Sequence, residues 1–544
     1  MGHLNLSHMK LRLLSLTLLS SLLLPLALPN EIFPSGNIFI GIICLIPYYF
    51  ALRYSPRSRF SALMGMVFGA LSTLLANYWL MFFGEFSLWT LGGVILGYIG
   101  YNALFAPYLS RFLRERNWYR PFLFAAAWTA YEYFKSIGYL GYPWGLSAYP
   151  TASVLPLIQV VDIAGIWPLS FFVCLCNGLL AESMSFRMQE RQTQSGKKGH
   201  SLIYSWLFLF ILLFSSLVYG YIKLSRPLPY QDKLSLLLVQ QNSDSWLRGN
   251  AEKTLLTAER LTEEGLAKAA EKPDIIVWSE TSLPWPPLIE GKDYYRGFPR
   301  DRPFIPFVRS LNSYFLTGGI ALIDSDPALA MNSVLFLSPD AEVLDFYGKQ
   351  HPVPFAENVP FWELDWVRNF FSEVIGLRAV WTMGNRYTIF DLPRDGKKDI
   401  RFGTPICFED AFAYLNRTLI KNGADLLINL TNNSWSKTDS AQIQHFVASR
   451  FRAVENRCVL VRSTNSGLTC IVDPWGRIIA ELPMFTEGSL FAEFPVYRPG
   501  KFTAYTLYGD YLPIAFLILL FAVLLFPFMK AKFETMRNRI HQKT

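Results

Sequence analysis

The chain has 544 residues, 51% of them hydrophobic and only 17% charged, with a net charge of +8 and a mean hydropathy of +0.23. This is too apolar for an ordinary soluble enzyme and points to several membrane spans. The basic excess sits in short loops between apolar runs, with no long basic stripe and no zinc-finger spacing, so bilayer topology accounts for it and no nucleic-acid partner is expected.

A segment needs about 20 apolar residues to cross a hydrocarbon core of ~30 Å. Seven such runs precede residue 225, near 12–29, 36–52, 60–83, 88–109, 121–137, 163–181 and 202–222, and an eighth lies at about 511–529. Lys10 and Arg12 before the first run fit a signal peptide, but no small-x-small cleavage site follows Pro25-Leu26-Ala27-Leu28-Pro29, so the run is expected to be retained. Basic residues recur on alternate loops: Lys10 and Arg12, then Arg53, Arg57 and Arg59, then Arg111 and Arg114, then Arg187, then the tail after the eighth run. The loops around Glu31 and Glu85 nearly lack them. This alternation predicts both termini in the cytoplasm and the long segment 224–510 outside. The expected domains are a membrane domain over 1–224, an extracytoplasmic domain over 225–510, and a last span with a cytoplasmic tail over 511–544.

After the fifth run comes Gly138-Tyr139-Leu140-Gly141-Tyr142-Pro143-Trp144-Gly145. It reads equally as an interfacial aromatic anchor and as a wall of a lipid site facing the outer domain. That domain alternates strands and helices. Leu234–Val239 and Ile275–Trp278 read as buried strands, and Ala251–Ala270 as an amphipathic helix. Tyr314–Leu322, Ser333–Leu337, Val343–Tyr347 and Leu426–Leu430 continue as strands. A helix capped by Asp439 runs to about Glu455. Strands Val459–Arg462, Leu468–Val472 and Ile478–Leu482 close the domain, the last two joined by the turn Asp473-Pro474-Trp475-Gly476. This rhythm implies an α/β layered domain.

Three strand ends carry reactive groups: Glu280 after Val277-Trp278-Ser279, Lys349 after Asp345-Phe346-Tyr347-Gly348, and Cys407 after Gly403-Thr404-Pro405-Ile406. Loops at strand ends are where α/β domains hold their sites. A thiol becomes a strong nucleophile on losing its proton. A carboxylate can take that proton, and an ammonium can stabilise both the thiolate and an oxyanion. Base, cation and nucleophile together suffice for acyl transfer. Each residue alone reads more simply as a capping, surface or core residue.

The words around these residues resemble the nitrilase, or carbon–nitrogen hydrolase, superfamily, whose Glu-Lys-Cys triad follows this chain order. The matching words are Trp278-Ser279-Glu280-Thr281, Gly348-Lys349 with Val353-Pro354-Phe355-Ala356-Glu357, Ile406-Cys407-Phe408-Glu409 and Asn432-Asn433-Ser434-Trp435. With seven spans before the domain and one after it, the whole chain resembles the apolipoprotein N-acyltransferase family. The resemblance implies a multi-span α-helical membrane domain of eight transmembrane helices carrying an extracytoplasmic α/β nitrilase-like αββα sandwich. It implies Glu280 as base, Lys349 as oxyanion stabiliser and Cys407 as nucleophile, with Glu357, Glu409, Trp435 and Asn432 supporting the site or substrate. It further implies a bacterial inner-membrane enzyme with a periplasmic catalytic domain. The implied partners are a phospholipid acyl donor, phosphatidylethanolamine, and a diacylglyceryl-modified apolipoprotein acceptor. Family members usually carry Tyr where this chain has Phe408, so that hydroxyl is absent or replaced.

Between Glu357 and Gly384 lie Phe361, Trp362, Leu364, Trp366, Val367, Phe370, Phe371, Val374 and Leu377, with Trp366, Phe370 and Val374 spaced for one helical face. The segment is expected to be a lid dipping into the outer leaflet, against the alternative of a helix packed on the domain core. The six histidines form no H-E-x-x-H pair or zinc cluster, and there is no P-loop or dinucleotide fingerprint, so neither metal nor cofactor is expected. His351 is the one candidate for a Cys–His pairing. Cys458 and Cys470 are a possible disulfide across neighbouring strands. Two rival functions remain at this level: a membrane-tethered amidase, and a transporter or receptor. The latter needs ionisable groups within the spans, where Glu132 and Lys135 read as interfacial.

Overall fold

The computed structural model describes residues 6–83, 87–114, 118–190, 199–227, 229–243, 249–377, 380–394, 396–498 and 500–541; Glu85 lies outside them. Among the described residues, five helical stretches are long and apolar enough to cross a membrane: Ser7–Ala27, Ser58–Ala76, Ser87–Arg114, Trp167–Arg187 and Ser201–Ser225. Three of the eight expected spans take other forms. The second is two short helices, Ile38–Gly41 and Ile46–Arg53, the latter with Pro at its first turn, where a missing N–H costs nothing. The fifth is a helix of 17 residues, Arg120–Ser136, that carries Arg120, Glu132 and Lys135. The last is the start of the helix Tyr511–His541, apolar over Tyr511–Phe526.

Glu132 and Lys135 are buried rather than interfacial. Glu132 accepts from Trp128 Nε1 (3.0 Å), Ser147 N (2.7 Å) and Ser170 Oγ (2.6 Å), and Lys135 Nζ donates to the Trp144 carbonyl. A buried charge persists only when its hydrogen-bonding capacity is met. Here the pair fixes the loop Gly138–Gly145 in place.

The α/β part contains two six-stranded sheets. The first is built from β1 (Tyr230–Gln240), β2 (Ile275–Val277), β3 (Tyr314–Ile323), β4 (Asp326–Leu337) and β5 (Val343–Gly348), the second from β6 (Ile389–Leu392), β7 (Ile400–Gly403), β8 (Leu426–Thr431), β9 (Leu460–Thr464), β10 (Cys470–Val472) and β11 (Ile478–Glu481). The final strand, β12 (Gly488–Tyr497), returns to the first sheet. The orders are β12-β1-β2-β3-β4-β5 and β11-β10-β9-β8-β7-β6. In each sheet a central parallel triplet, β1-β2-β3 or β7-β8-β9, is flanked by antiparallel strands.

The sheets pack face to face because their strands are apolar on both sides. Leu236 and Leu238 of β1 point between the sheets, with Val277, Val334, Phe336, Phe402, Ile428 and Val461. Leu237 and Val239 face the other way, onto the helices Ala251–Lys268 and Phe304–Leu311. The helices Ala413–Lys421 and Asp439–Asn456 cover the second sheet. The layers are therefore α-β-β-α.

The cap of the helix Asp439–Asn456 lies one residue before the expected one: Thr438, not Asp439, accepts the Ala441 N–H. Nearly all of it is buried, since its outer face rests on the apolar helices. Gln444 Nε2 donates to the Pro29 (3.1 Å) and Ala76 (3.0 Å) carbonyls, and Arg457 just past the helix grips Asp162 (2.9 Å). Cys458 and Cys470 are free thiols: Cys470 pairs with Arg462 on β9, and Cys458 lies before that strand.

Candidate active site

Glu280 follows β2 and is buried. Its backbone can lie against β3 because residue 318 is glycine; a methyl there would collide with Glu280 Cα and Thr281 N. Lys349 follows β5, its N–H donating to the Asn332 carbonyl of β4 (2.9 Å) and its carbonyl accepting from Gly384 N (2.7 Å). Cys407 opens a tight turn, Cys407–Ala411, at φ +53°. For a residue with a Cβ this left-handed conformation costs on the order of 1 kcal/mol. Asn429 of β8 holds it, donating to the Pro405 (3.0 Å) and Cys407 (2.9 Å) carbonyls.

These strand ends converge. Lys349 Nζ lies 3.3 Å from Glu280 Oε1 and 2.9 Å from Glu357 Oε1, and it caps the Phe408 ring at 5.6 Å. Asn332 Nδ2 donates to the same two oxygens, at 2.8 Å and 3.2 Å. The other oxygen of Glu280 accepts the Asn432 N–H (2.7 Å), and that of Glu357 accepts the Val353 N–H (2.7 Å). Burial would lower the Lys349 pKa, but Glu280, Glu357 and Cys407 outweigh it and hold the ammonium well above the usual lysine value. Burial pushes the Cys407 thiol far up; Glu280 adds to this and Lys349 opposes it. The resting thiol is therefore neutral, near a carboxyl group that accepts from three donors.

Glu409 does not face this cluster. It accepts from Ile406 N (2.7 Å), Gln350 N (2.6 Å), His351 N (2.8 Å) and Tyr347 OH (3.1 Å). It thus ties the nucleophile turn to the chain around Lys349 and fixes their separation. Burial raises its carboxyl to about 7, against the pull of these N–H groups and of Lys349. The folded-state value exceeds the unfolded one, so between about 4.5 and about 7 the folded state binds more protons, and stability falls as pH rises through that window. Glu409→Gln is expected to lose this slope. Thermal melts of the detergent-solubilised protein at pH 5 and pH 8 check it: the gap between the two midpoints should narrow in the variant.

Asn432 contributes its backbone to Glu280 and its side chain to Thr281 Oγ1 (2.8 Å). Trp435 stands apart from the carboxylates, its ring against Trp79 (5.9 Å) and Phe83 (4.6 Å) of the membrane helices' ends. His351 is in an aromatic box, stacked on Phe412 at 4.1 Å and bonded through Nδ1 to Tyr414 OH at 2.8 Å. Burial and Lys349 lower its pKa to about 4, so it is a neutral packing residue rather than a partner for the thiol. The loop Gly138–Gly145 reaches this box: Trp144 lies 6.4 Å from Phe408, and Tyr139 OH donates to the Asn358 carbonyl (2.8 Å). That contact favours the wall reading of this loop over a plain interfacial anchor.

The segment after Glu357 is a short helix, Asp365–Phe370, ending in a wide turn, Phe371–Ile375. It has its own small core of Val359, Val367 and Leu377. Trp366 (71% exposed), Phe370 and Val374 face outward. It is not packed on the domain core. Sequence reasoning missed Asn332; the only signal was the polar pair Asn332-Ser333 ahead of the apolar run Val334–Leu337. Among the described residues no cluster of His, Cys, Asp and Glu could hold a metal ion.

Two mixed sheets, a Glu-Lys-Cys cluster at their strand ends and a set of apolar helices define a membrane-attached enzyme of the carbon–nitrogen hydrolase class. Residues 238–498 match the family described as carbon-nitrogen hydrolase, and residues 20–179 the one described as apolipoprotein N-acyltransferase N-terminal domain. The chain is 38% identical to apolipoprotein N-acyltransferase 2 of Treponema denticola over 509 residues, covering 93% of this chain and 96% of that one. It is 32% identical to apolipoprotein N-acyltransferase of Borreliella burgdorferi over 540 residues, covering 98% and 99%. The chain belongs to the apolipoprotein N-acyltransferase family and is an acyltransferase.

Proposed function

We propose that the chain transfers an acyl chain from a membrane phospholipid to the α-amine of S-diacylglyceryl-cysteine lipoproteins by a ping-pong route through Cys407, the last step of bacterial lipoprotein maturation. Glu280 takes the thiol proton, and the thiolate attacks the ester carbonyl of the donor, phosphatidylethanolamine. The negative oxygen that forms is stabilised by Lys349 and backbone N–H groups of the nucleophile turn. Collapse breaks the C–O bond; the leaving alkoxide takes the proton from Glu280 and departs as a lysophospholipid, leaving a thioester. The lipoprotein amine then attacks the thioester carbonyl, Glu280 accepts its proton, the C–S bond breaks and the thiol is restored. An amine attacks a thioester readily, and the amide formed is far more stable. Glu357 holds Lys349 in place, and Glu409, Trp435 and Asn432 support the site.

The observation that carries this reading is the convergence of Glu280, Lys349 and the Cys407 turn, buried beside loops from the apolar helices. The proposed arrangement is a membrane domain over 1–224, a periplasmic catalytic domain over 225–510, and a last span with a cytoplasmic tail over 511–544. Ile38–Arg53, Arg120–Ser136 and the start of Tyr511–His541 complete eight spans in a bacterial inner membrane, with both termini cytoplasmic. The exposed stripe Trp366, Phe370 and Val374 suits a lid seated in the outer leaflet. The test is mass spectrometry of the Cys407 peptide after incubation with phosphatidylethanolamine. An added acyl mass that hydroxylamine removes is the expected result; an unmodified Cys407 in a protein that hydrolyses small amides would establish the amidase reading instead.

A further inference from the structure

We infer that Asn332 is a positioning residue that sets the proton affinity of Glu280. The inference rests on the reading of Glu280 as the base. Asn332 sits on β4 beside the lysine strand and is buried, with its backbone carbonyl bonded to Lys349 N. Its Nδ2 and Lys349 Nζ donate to the same pair of oxygens, Glu280 Oε1 and Glu357 Oε1. One carboxylate pair is thus bridged twice, by a neutral amide and by an ammonium.

The two bridges behave differently during the reaction. Lys349 is the cation that answers new negative charge on the substrate, which weakens its hold on Glu280. The amide is carried by a strand paired on both edges and stays where it is. The charged or titratable groups around Glu280 are Lys349 from the end of β5, Glu357 from the loop after it, and Cys407 from the nucleophile turn. One of these, Glu357, is a second carboxylate, and a like charge beside a base raises its proton affinity. A donor fixed on a carboxylate favours its charged form and lowers that affinity. Asn332 supplies this without adding charge and also keeps Glu280 and Glu357 at a fixed spacing.

The test is the pH dependence of single-turnover acylation of Cys407 by phosphatidylethanolamine in detergent micelles. In Asn332→Ala the acid limb is expected to move up by about one pH unit, tenfold in rate below the limb, while the rate at high pH stays within a few-fold of wild type. Asn332→Asp, of equal size, should move it further, because it adds a third carboxylate. A limb that stays in place in a folded Asn332→Ala overturns the inference, whatever happens to the amplitude. Should that variant not fold, the Asp variant decides in the same way. Glu280→Gln tests the reading underneath. Wild-type acylation with the limb intact in Glu280→Gln removes Glu280 as the base; loss of the limb there, with no movement in either Asn332 variant, removes only the role of Asn332.

Discussion

Cys407→Ala is expected to lower acyl transfer by about 10⁴-fold or more, with no acyl mass found on the protein. The two half-reactions share one atom, the sulfur, and nothing else in the cluster can carry the acyl group. Glu280 and Glu357 are engaged by donors, and Lys349 is an ammonium held far above its usual pKa. The loss should be chemical and not structural. The thiol is not a hub of the fold, and the turn is held by Asn429 through the Cys407 carbonyl, which alanine keeps. Circular dichroism and the thermal midpoint should therefore match wild type while acylation of a diacylglyceryl peptide disappears. Cys407→Ser should fail almost as completely. A hydroxyl is far harder to deprotonate than a thiol, and an ester is a poorer acyl donor to an amine than a thioester. Acyl transfer within tenfold of wild type in Cys407→Ala would refute the covalent route.

Lys349→Met is expected to cost catalysis and stability together. The ammonium is 1% exposed and neutralises two carboxylates, the buried Glu280 and the partly buried Glu357. Removing one partner of such a pair costs about 3–5 kcal/mol, because the charge left behind is both desolvated and unpaired. The same change removes the cation that meets the oxyanion, an effect worth about 10²–10³ in rate. Without Lys349 the two carboxylates repel, and one of them takes up a proton. If that one is Glu280, the base is lost as well. The Met side chain fills the space of the lysine stem, so the loss is one of charge. The measurements are the denaturation midpoint in detergent and the single-turnover rate of Cys407 acylation. An unchanged midpoint would mean that the carboxylates are not held as an ion cluster.

The central strands of the α/β domain were readable because they obey a local rule. A strand buried on both faces must be mainly apolar, and Leu234–Val239, Ile275–Val277 and Leu426–Leu430 are, with Ser235 and Asn429 as their polar members. β6 and β12 escaped notice, and β7 was read only from Gly403 on, because their sequences alternate or mix polar residues, as at Asp391, Arg401 and Glu493, and only their neighbours in the sheet define them. The second span was expected as one helix because hydropathy counts apolar residues and not backbone geometry. The fifth span shows the same limit in reverse: its Glu132 and Lys135 read as interfacial, but loop residues nine and fifteen positions away bury and bond them.

By itself, the sequence determined the classes of element and the inventory of chemistry. Apolar runs dictated helices for a bilayer, mainly apolar strands dictated a layered α/β core, and Glu280, Lys349 and Cys407 stood out because each follows a strand end. These properties depend on a residue and its near neighbours. The tertiary structure alone decided what each group touches. It placed Asn332 between two carboxylates, turned Glu409 away from them to clamp the nucleophile turn, made His351 a neutral ring in an aromatic box, and left the Trp366 stripe uncovered. Proton affinity and charge in a buried site are set by distances of about 3 Å across strands far apart in the chain. No local pattern encodes such distances; the packing of the two sheets creates them.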